Sequence, residues 1–252
     1  MTETERCLLL CTSYPTYSEK HGPTVCMAGM TEEGEFRRLY PMPFDVFAEK
    51  EDMRKRQWIE YEIREEGDYR KESYKIVPES VKTLEEEDYK SIGEICRENK
   101  VSSIEKLNKM QEADDTSLGI VEPSEIQSLS IDYSDEREEM LDEYNGGINI
   151  VPCHTRYEFF CGDGCVSECD LEGGTHNIMC EDIELGTAYW NFKRNYPTEE
   201  EAEEKLKEKF LDWMVENRDV YFLMGTHYRF QTWMVISILY PPEMPSGSVF
   251  DY

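Results

Sequence analysis

No stretch of this sequence stays apolar for the roughly 18 residues that a membrane-spanning helix requires. The opening residues, Met-Thr-Glu-Thr-Glu-Arg, lack the basic and then apolar order of a signal peptide. The nine cysteines are odd in number and, without an export signal, are expected to be reduced thiols rather than a disulfide framework. We therefore expect a cytoplasmic protein with no membrane partner.

Basic residues are scarce as well. The chain has 27 Lys and Arg against 55 Asp and Glu, a formal net charge of −28. Such self-repulsion opposes compaction at low ionic strength, and salt relieves it by screening. One interpretation is a halophilic protein from a salt-rich cytoplasm. The other is an acidic surface that binds a basic partner or mimics nucleic acid. The spread of acidic residues along the whole chain favours the first.

Short strand patterns fill the N-terminal third. Within Gln57–Arg64, Ile59, Tyr61 and Ile63 alternate with charged residues, which predicts a strand with these three side chains inward. Several such strands over residues 1–80, with little helix between them, predict a small OB-like β-barrel unit.

The rest of the chain has a mixed pattern, so the predicted fold class is α+β. Residues 81–147 are predicted to form a helical insertion plus strands, including a helix over Glu85–Asn99. Residues 148–252 are predicted to hold a Cys-rich loop, a helix capped by Thr198, and C-terminal strands that pack on the barrel.

The strongest local chemical signal lies in the Cys-rich loop. Cys161, Cys165 and Cys169 recur at four-residue intervals around two glycines, and His176 and Cys180 follow. Tetrahedral zinc takes four thiolate or imidazole ligands, and this segment offers more than four. The preferred set is Cys161, Cys165, His176 and Cys180, with Cys169 as the substitute. The alternative is a cysteine-rich loop in a reducing cytosol that binds no metal.

Three carboxylates follow His176 in the segment Glu181-Asp182-Ile183-Glu184. They allow a metal-dependent hydrolase or nuclease that uses His176, Asp182 and Glu184. They also suit the acidic first turn of a helix, which is the favoured interpretation. Neither a Gly-rich phosphate loop nor a GxSxG motif accompanies them, so the sequence leaves open whether the protein is an enzyme.

Cations and aromatic residues are interleaved in the N-terminal third. Residues 1–80 carry 12 basic and 17 acidic side chains, net −5, whereas the other 172 carry 15 and 38, net −23. Cations for phosphates and aromatics for stacked bases are what a single-strand-binding barrel needs. The predicted nucleic-acid-binding residues are Arg37, Arg38, Tyr40, Trp58, Arg70, Lys71 and Tyr74, with Tyr69 nearby. The alternative is an ordinary exposed sheet face.

The same third resembles a group of poorly characterised prokaryotic proteins with a dual OB-type barrel. The matching elements are Val25-Cys26-Met-Ala28-Gly29, Gly34-Glu-Phe-Arg37-Arg38-Leu-Tyr40-Pro41, the strand Trp58–Ile63 and Asp68-Tyr-Arg70-Lys-Glu72-Ser73-Tyr74. Phe36 stands where the group has Trp. The resemblance covers the N-terminal ~60 residues only. It implies small β-barrels and a nucleic-acid connection, and it names no reaction.

Together these patterns predict a zinc-containing, nucleic-acid-associated protein of genome maintenance or defence. Its expected partner is single-stranded nucleic acid or a nucleic-acid-processing protein. The alternatives are the metal-dependent hydrolase or nuclease and an acidic protein-binding adaptor. An enzyme would hold an open metal position in a cleft, a nucleic-acid binder an aromatic and basic surface, and an adaptor an acidic or apolar patch.

Overall fold

Strands dominate this computed structural model, which describes residues 3–13, 15–18, 21–50, 53–133, 153–162 and 175–243. The strands of the described part are β1 (Glu3–Thr12), β2 (Thr16–Ser18), β3 (Gly22–Thr31), β4 (Phe36–Pro43), β5 (Gln57–Glu66), β6 (Ser73–Ile76), β7 (Lys82–Glu86), β8 (Lys100–Val101), β9 (Leu118–Val121), β10 (Pro123–Tyr133), β11 (Cys153–Cys161), β12 (His176–Cys180), β13 (Tyr221–Thr226) and β14 (Trp233–Leu239). The helices are α1 (Phe44–Glu49), α2 (Tyr89–Asn99), α3 (Ile104–Asp114), α4 (Ile183–Asn195), α5 (Glu199–Lys207) and α6 (Met214–Asn217), with a 3-10 turn over Pro78–Ser80 and a π-helical turn over Glu208–Trp213. Among these residues, no helix is long and apolar enough to cross a membrane.

The N-terminal strands close into a barrel. Their order is β1-β3-β4-β6-β5, and β5 returns to pair with β1 over Glu3–Leu8. β4 and β6 pair in parallel, and α1 lies between β4 and β5 in the chain. This strand order is that of the OB-fold, a five-stranded Greek-key barrel. The predicted OB-like barrel is therefore confirmed.

The alternating pattern of β5 explains how this barrel fills its interior. Ile59 and Tyr61 are fully buried, while Trp58, Glu60 and Glu62, which alternate with them, stay partly exposed. Because successive side chains of a strand point to opposite faces, this pattern fixes one face of β5 toward the core. The predicted strand is confirmed, with Ile59 and Tyr61 buried and the third predicted inward residue, Ile63, partly buried against the same core.

The second sheet also closes, in the order β10-β11-β12-β14-β13-β9, with β8 added beside β9. Only Glu122 separates β9, which pairs with β13, from β10, which pairs with β11. β12 and β14 pair in parallel, and the helices α4–α6 lie between β12 and β13. This barrel repeats the strand order of the first. The C-terminal strands β13 and β14 belong to this second barrel, and both contribute side chains to the apolar cluster that also contains β1.

A large apolar interface joins the two barrels. Along β1, Cys7 and Leu9 belong to the core of the first barrel, whereas Leu8, Leu10 and Cys11 pack against the second. A strand that is buried on both faces has apolar residues at successive positions, which explains the apolar run Cys7–Cys11. The other buried members of the interface come from β3, α2, β9, β13 and β14: Ala28, Met30, Ile92, Cys96, Leu118, Ile120, Tyr221, Leu223, Ile236 and Leu239.

Buried polar contacts also stabilise the interface between the two barrels. Lys55 Nζ lies 2.6 Å from Asp182 Oδ2 and donates to Ile238 O at 3.1 Å. Asp182 also caps α4 by accepting from the backbone of its first turn, which confirms that the acidic segment after His176 is a helix start. Glu72 of the first barrel accepts hydrogen bonds from both the backbone and the hydroxyl of Ser117 in the second. The relative position of the barrels is thus set by specific partners as well as by packing.

Candidate nucleic-acid interface and metal centre

Three exposed aromatic side chains lie together where a loop of each barrel meets the other. Tyr69 stands in the β5–β6 connection, and Tyr228 and Phe230 stand in the β13–β14 connection. Their exposed fractions are 45%, 60% and 66%. The Tyr69 and Tyr228 ring centroids are 6.0 Å apart. We call these three residues the aromatic patch. In both barrels the loop that carries it joins the fourth and fifth barrel strands, a position that binds oligonucleotides in OB-folds.

Hydrogen bonds hold the aromatic patch in place. Tyr69 Oη donates to the Tyr228 carbonyl at 3.3 Å, across the two loops. In the β13–β14 turn, His227 Nδ1 accepts from the backbone N–H groups of Arg229 and Phe230 at 3.2 Å each. The His227 ring also stacks on Phe230 with centroids 4.8 Å apart. Exposed rings with fixed positions lose little conformational entropy when a planar ligand stacks on them.

The charges around the aromatic patch are largely balanced locally. Arg70 pairs with Asp68 at 2.6 Å and donates to Thr226 O at 3.0 Å. Burial alone would raise the pKa of Asp68, but the hydrogen bonds from Arg70 outweigh it and hold that pKa below its usual value. Within the described residues Arg229 has no ion-pair partner, and its guanidinium carbon lies 5.5 Å from the Phe230 ring. The patch therefore combines neutralised acids with one available cation.

The structure does not bring the predicted nucleic-acid-binding residues together on one surface. Arg70 and Lys71 lie beside the aromatic patch, with Lys71 paired to Asp114. Arg38 is only 3% exposed and donates to Ser117 O between the barrels, so it is not available to a phosphate. Arg37 lies elsewhere on the first barrel, where it is bound by glutamates and covers the Tyr74 ring.

Tyr40 and Trp58 are also apart from the aromatic patch. Tyr40 accepts from Thr24 at 3.4 Å. Trp58 donates its indole N–H to Glu87 at 3.0 Å and packs at the barrel interface. Sequence reasoning missed Tyr228 and Phe230, although the segment His-Tyr-Arg-Phe-Gln between two apolar strands carried the signal. Interleaved rings and cations at a hairpin turn would have pointed to it.

A second cluster brings together three residues with metal-binding side chains. Cys161 ends β11, His176 begins β12, and Glu105 lies in the first turn of α3. Cys161 Sγ is 3.1 Å from His176 Nε2, and Glu105 Oε1 is 3.9 Å from the same nitrogen. One ligand atom from each of the three lies within 4.8 Å of the others. This Glu, Cys and His cluster has the donor types for a transition-metal ion.

The local backbone geometry brings the end of β11, with Cys161, to the start of α3. Gly162 has φ +42°, and a side chain there would meet Ser102 O at 2.2 Å. Glycine thus lets the chain leave β11 directly over the start of α3. The first turn of α3 is capped by Ser103, and the Ile104 N–H donates to Cys161 Sγ at 3.4 Å. Burial lowers the pKa of His176, which favours the neutral imidazole that binds metals.

The remaining predicted metal ligands are Cys165, Cys169 and Cys180. Cys165 and Cys169 are outside the described residues, so their part in the site stays a prediction. Cys180 is four positions beyond His176 on β12, and a strand rise of about 3.3 Å per residue separates the two by about 13 Å. Asp182 and Glu184 lie farther along and bind Lys55 and Tyr240. The structure does not gather the hydrolase set of His176, Asp182 and Glu184.

Two family models cover the chain. A model described as Domain of unknown function (DUF8757) matches residues 99–252, more than half of the sequence. The chain belongs to the DUF8757 family. A second model, Domain of unknown function (DUF8758), matches residues 3–106. No curated protein matches this DUF8757 chain significantly.

Among solved structures, the DUF8757 chain is similar to a chain in the structure of a replication protein A heterotrimer bound to ssDNA. The TM-score is 0.39 and the sequence identity is 8%. The similarity covers 97% of this chain and 50% of that chain, so this chain spans about half the length of that structural relative. The assignment of the two barrels rests on their own strand order.

Proposed function

We propose that this protein binds single-stranded nucleic acid at the aromatic patch. The observation that carries the proposal is the meeting of the two β-hairpin loops, which presents Tyr69, Tyr228 and Phe230 to solvent beside Arg229. Base stacking on aromatic side chains contributes about 1–3 kcal/mol per base and tolerates any sequence. We retain the role in genome maintenance or defence that the sequence predicts.

The charge distribution makes stacking the main source of affinity. The net charge of −28 repels phosphates, and Arg70 and Lys71 are already paired to carboxylates. For single strands, log K falls with log salt by about 0.7 for each neutralised phosphate. With Arg229 and at most one further cation on phosphates, we expect a slope no steeper than about −1.4.

Titration of a labelled oligonucleotide against the wild-type protein over a range of salt concentrations tests the proposal. We expect binding to a single strand, weaker binding to the matching duplex because its bases are already stacked, and the shallow salt slope. A steep slope would indicate a cationic groove elsewhere, and no binding at any salt concentration would contradict the proposal.

An acidic adaptor is the second candidate function, and one surface favours it. At one end of the first barrel, six glutamates line a depression together with Arg6 and Arg37. Both arginines form ion pairs there, Arg6 with Glu32 and Arg37 with Glu5. A labelled polybasic peptide that binds while single strands do not would favour the adaptor.

We further propose that the protein carries zinc beside Cys161 and His176, as the Cys-rich sequence predicts. A buried thiol and a buried imidazole with their ligand atoms 3.1 Å apart support it. Since these two donors lie in the interior, the role would be structural rather than catalytic. Zinc would hold the ends of β11 and β12 together, and elemental analysis of the purified protein tests for it.

The acidic surface itself we attribute to a salt-rich environment, as for a halophilic protein. The net charge of −28 should destabilise the native state at low ionic strength, since the Debye length shrinks from about 30 Å at 0.01 M to about 3 Å at 1 M. We expect the melting temperature to rise continuously when sodium chloride is increased over that range. A melting temperature that stays constant or falls would contradict this interpretation.

A further inference from the structure

We infer that Glu105 is a ligand of the metal ion, together with Cys161 and His176. The inference rests on the proposed zinc and adds a carboxylate from α3, outside the Cys-rich loop. Glu105 is 56 residues before Cys161 in the chain, and no local motif connects the two. The three ligands would therefore join the start of α3 to the ends of β11 and β12.

The direction of approach to His176 separates a metal site from a catalytic triad. In a triad the nucleophile and the carboxylate bind opposite ring nitrogens of the histidine. Here the Cys161 thiol and the Glu105 carboxylate both approach Nε2, at 3.1 Å and 3.9 Å. Three donor atoms that converge on one point can share a cation at that point. They cannot relay a proton through the ring.

The spacing of the donors fits an ion after small side-chain rotations. Zinc–sulfur, zinc–nitrogen and zinc–oxygen distances of about 2.0–2.3 Å at tetrahedral angles give ligand-atom separations of about 3.3–3.6 Å. The observed Sγ–Nε2 distance of 3.1 Å and Nε2–Oε1 distance of 3.9 Å lie on either side of that value. All three donors belong to elements that are already fixed, so little reorganisation is needed.

The second carboxylate oxygen of Glu105 independently indicates that a cation binds beside this side chain. Glu105 Oε2 is buried, and it has no hydrogen-bond partner in the part of the chain that the structure describes. A buried polar atom without a partner costs about 1–3 kcal/mol, and more when it is charged. A cation beside the carboxylate would remove this cost. The Ile104 N–H bond to Cys161 Sγ is the type of outer contact that orients a metal-bound thiolate.

Zinc content and cobalt spectra of three proteins test the inference: the wild type, Glu105→Gln and the control Glu112→Gln. Glu112 lies on the same helix but is exposed, so its replacement controls for the lost charge. Loss of an outer-shell partner lowers metal affinity about 10–100-fold, and loss of a ligand should lower it at least as much. We expect at least a tenfold weaker zinc affinity for Glu105→Gln and an unchanged zinc affinity for Glu112→Gln, measured by competition with a chelating indicator.

The cobalt form gives a readout that does not depend on affinity. Cobalt bound to Cys161 should show thiolate-to-metal charge transfer, and its visible bands should shift in Glu105→Gln because one oxygen ligand has changed. A wild-type protein without zinc or a cobalt spectrum would contradict both the zinc proposal and the inference. A zinc-loaded wild type with equal affinities and spectra in both variants would overturn the role of Glu105 alone.

Discussion

Replacing Lys55 by alanine should lower the free energy of unfolding by about 3–5 kcal/mol, the cost of removing one partner from a buried ion pair. Lys55 comes from the first barrel, and its side chain is 7% exposed. Its partner Asp182, in the second barrel, has a fully buried side chain. Without the ammonium group, Asp182 would remain as a buried carboxylate that, among the described residues, accepts from the backbone N–H groups of Glu184, Leu185 and Ile238.

Chemical denaturation of the wild type, Lys55→Ala and the control Lys82→Ala measures this effect. Lys82 pairs with Glu60 on the surface, where both side chains contact water, so its loss should leave the denaturation midpoint unchanged. Burial alone would lower the pKa of Lys55, but Asp182 and Glu184 outweigh it and keep the pKa above the ordinary value. Equal midpoints for the two variants would show that the barrels do not depend on this pair.

Removing the two most exposed rings of the aromatic patch should nearly abolish nucleic-acid binding. Two stacking contacts at about 1–3 kcal/mol each amount to about 2–6 kcal/mol. Tyr228→Ala/Phe230→Ala should therefore bind a single strand at least about 30-fold more weakly than the wild type. The hairpin itself should persist, because its backbone bonds between His227 and Thr232 involve neither ring.

A matched double variant controls for the loss of exposed aromatic surface in general. Tyr89 and Trp213 are 45% and 42% exposed, and each lies under an arginine, as Phe230 does. Tyr89→Ala/Trp213→Ala should bind like the wild type in the same fluorescence titration. If both double variants lose affinity equally, or neither does, the aromatic patch is not the binding site.

The first barrel could be predicted because its strands have recognisable patterns within short, continuous stretches of the sequence. The alternation in β5 and the double-sided burial of β1 are both visible along the chain. The second barrel was not visible in the patterns, because it closes through β9 and β10, which Glu122 separates. Its parallel pair β12–β14 joins strands more than fifty residues apart, and no local pattern encodes such a pairing.

In the candidate sites, too, the residues with a local sequence signal could be predicted, whereas those contributed by distant parts of the chain could not. Cys161 and His176 were identified from their residue types, whereas Glu105 belongs to a helix whose acidic surface looks ordinary in the sequence. Cys180 was grouped with His176 by proximity in sequence, but in a strand four positions correspond to about 13 Å. The aromatic patch combines two loops from different barrels. Each loop has a local pattern of rings and cations, but no pattern along the chain shows that the two loops meet.

The doubly buried strand β1 also limits how modular this protein can be. The two family models overlap over residues 99–106, as would be expected if the chain consisted of two separable domains. A first barrel excised there would present Leu8, Leu10, Ala28 and Met30, all buried in the intact chain, as a bare apolar strip in water. Exposed apolar surface of this kind promotes aggregation. The two families therefore describe halves of one folding unit, and each half acts as the permanent binding partner of the other.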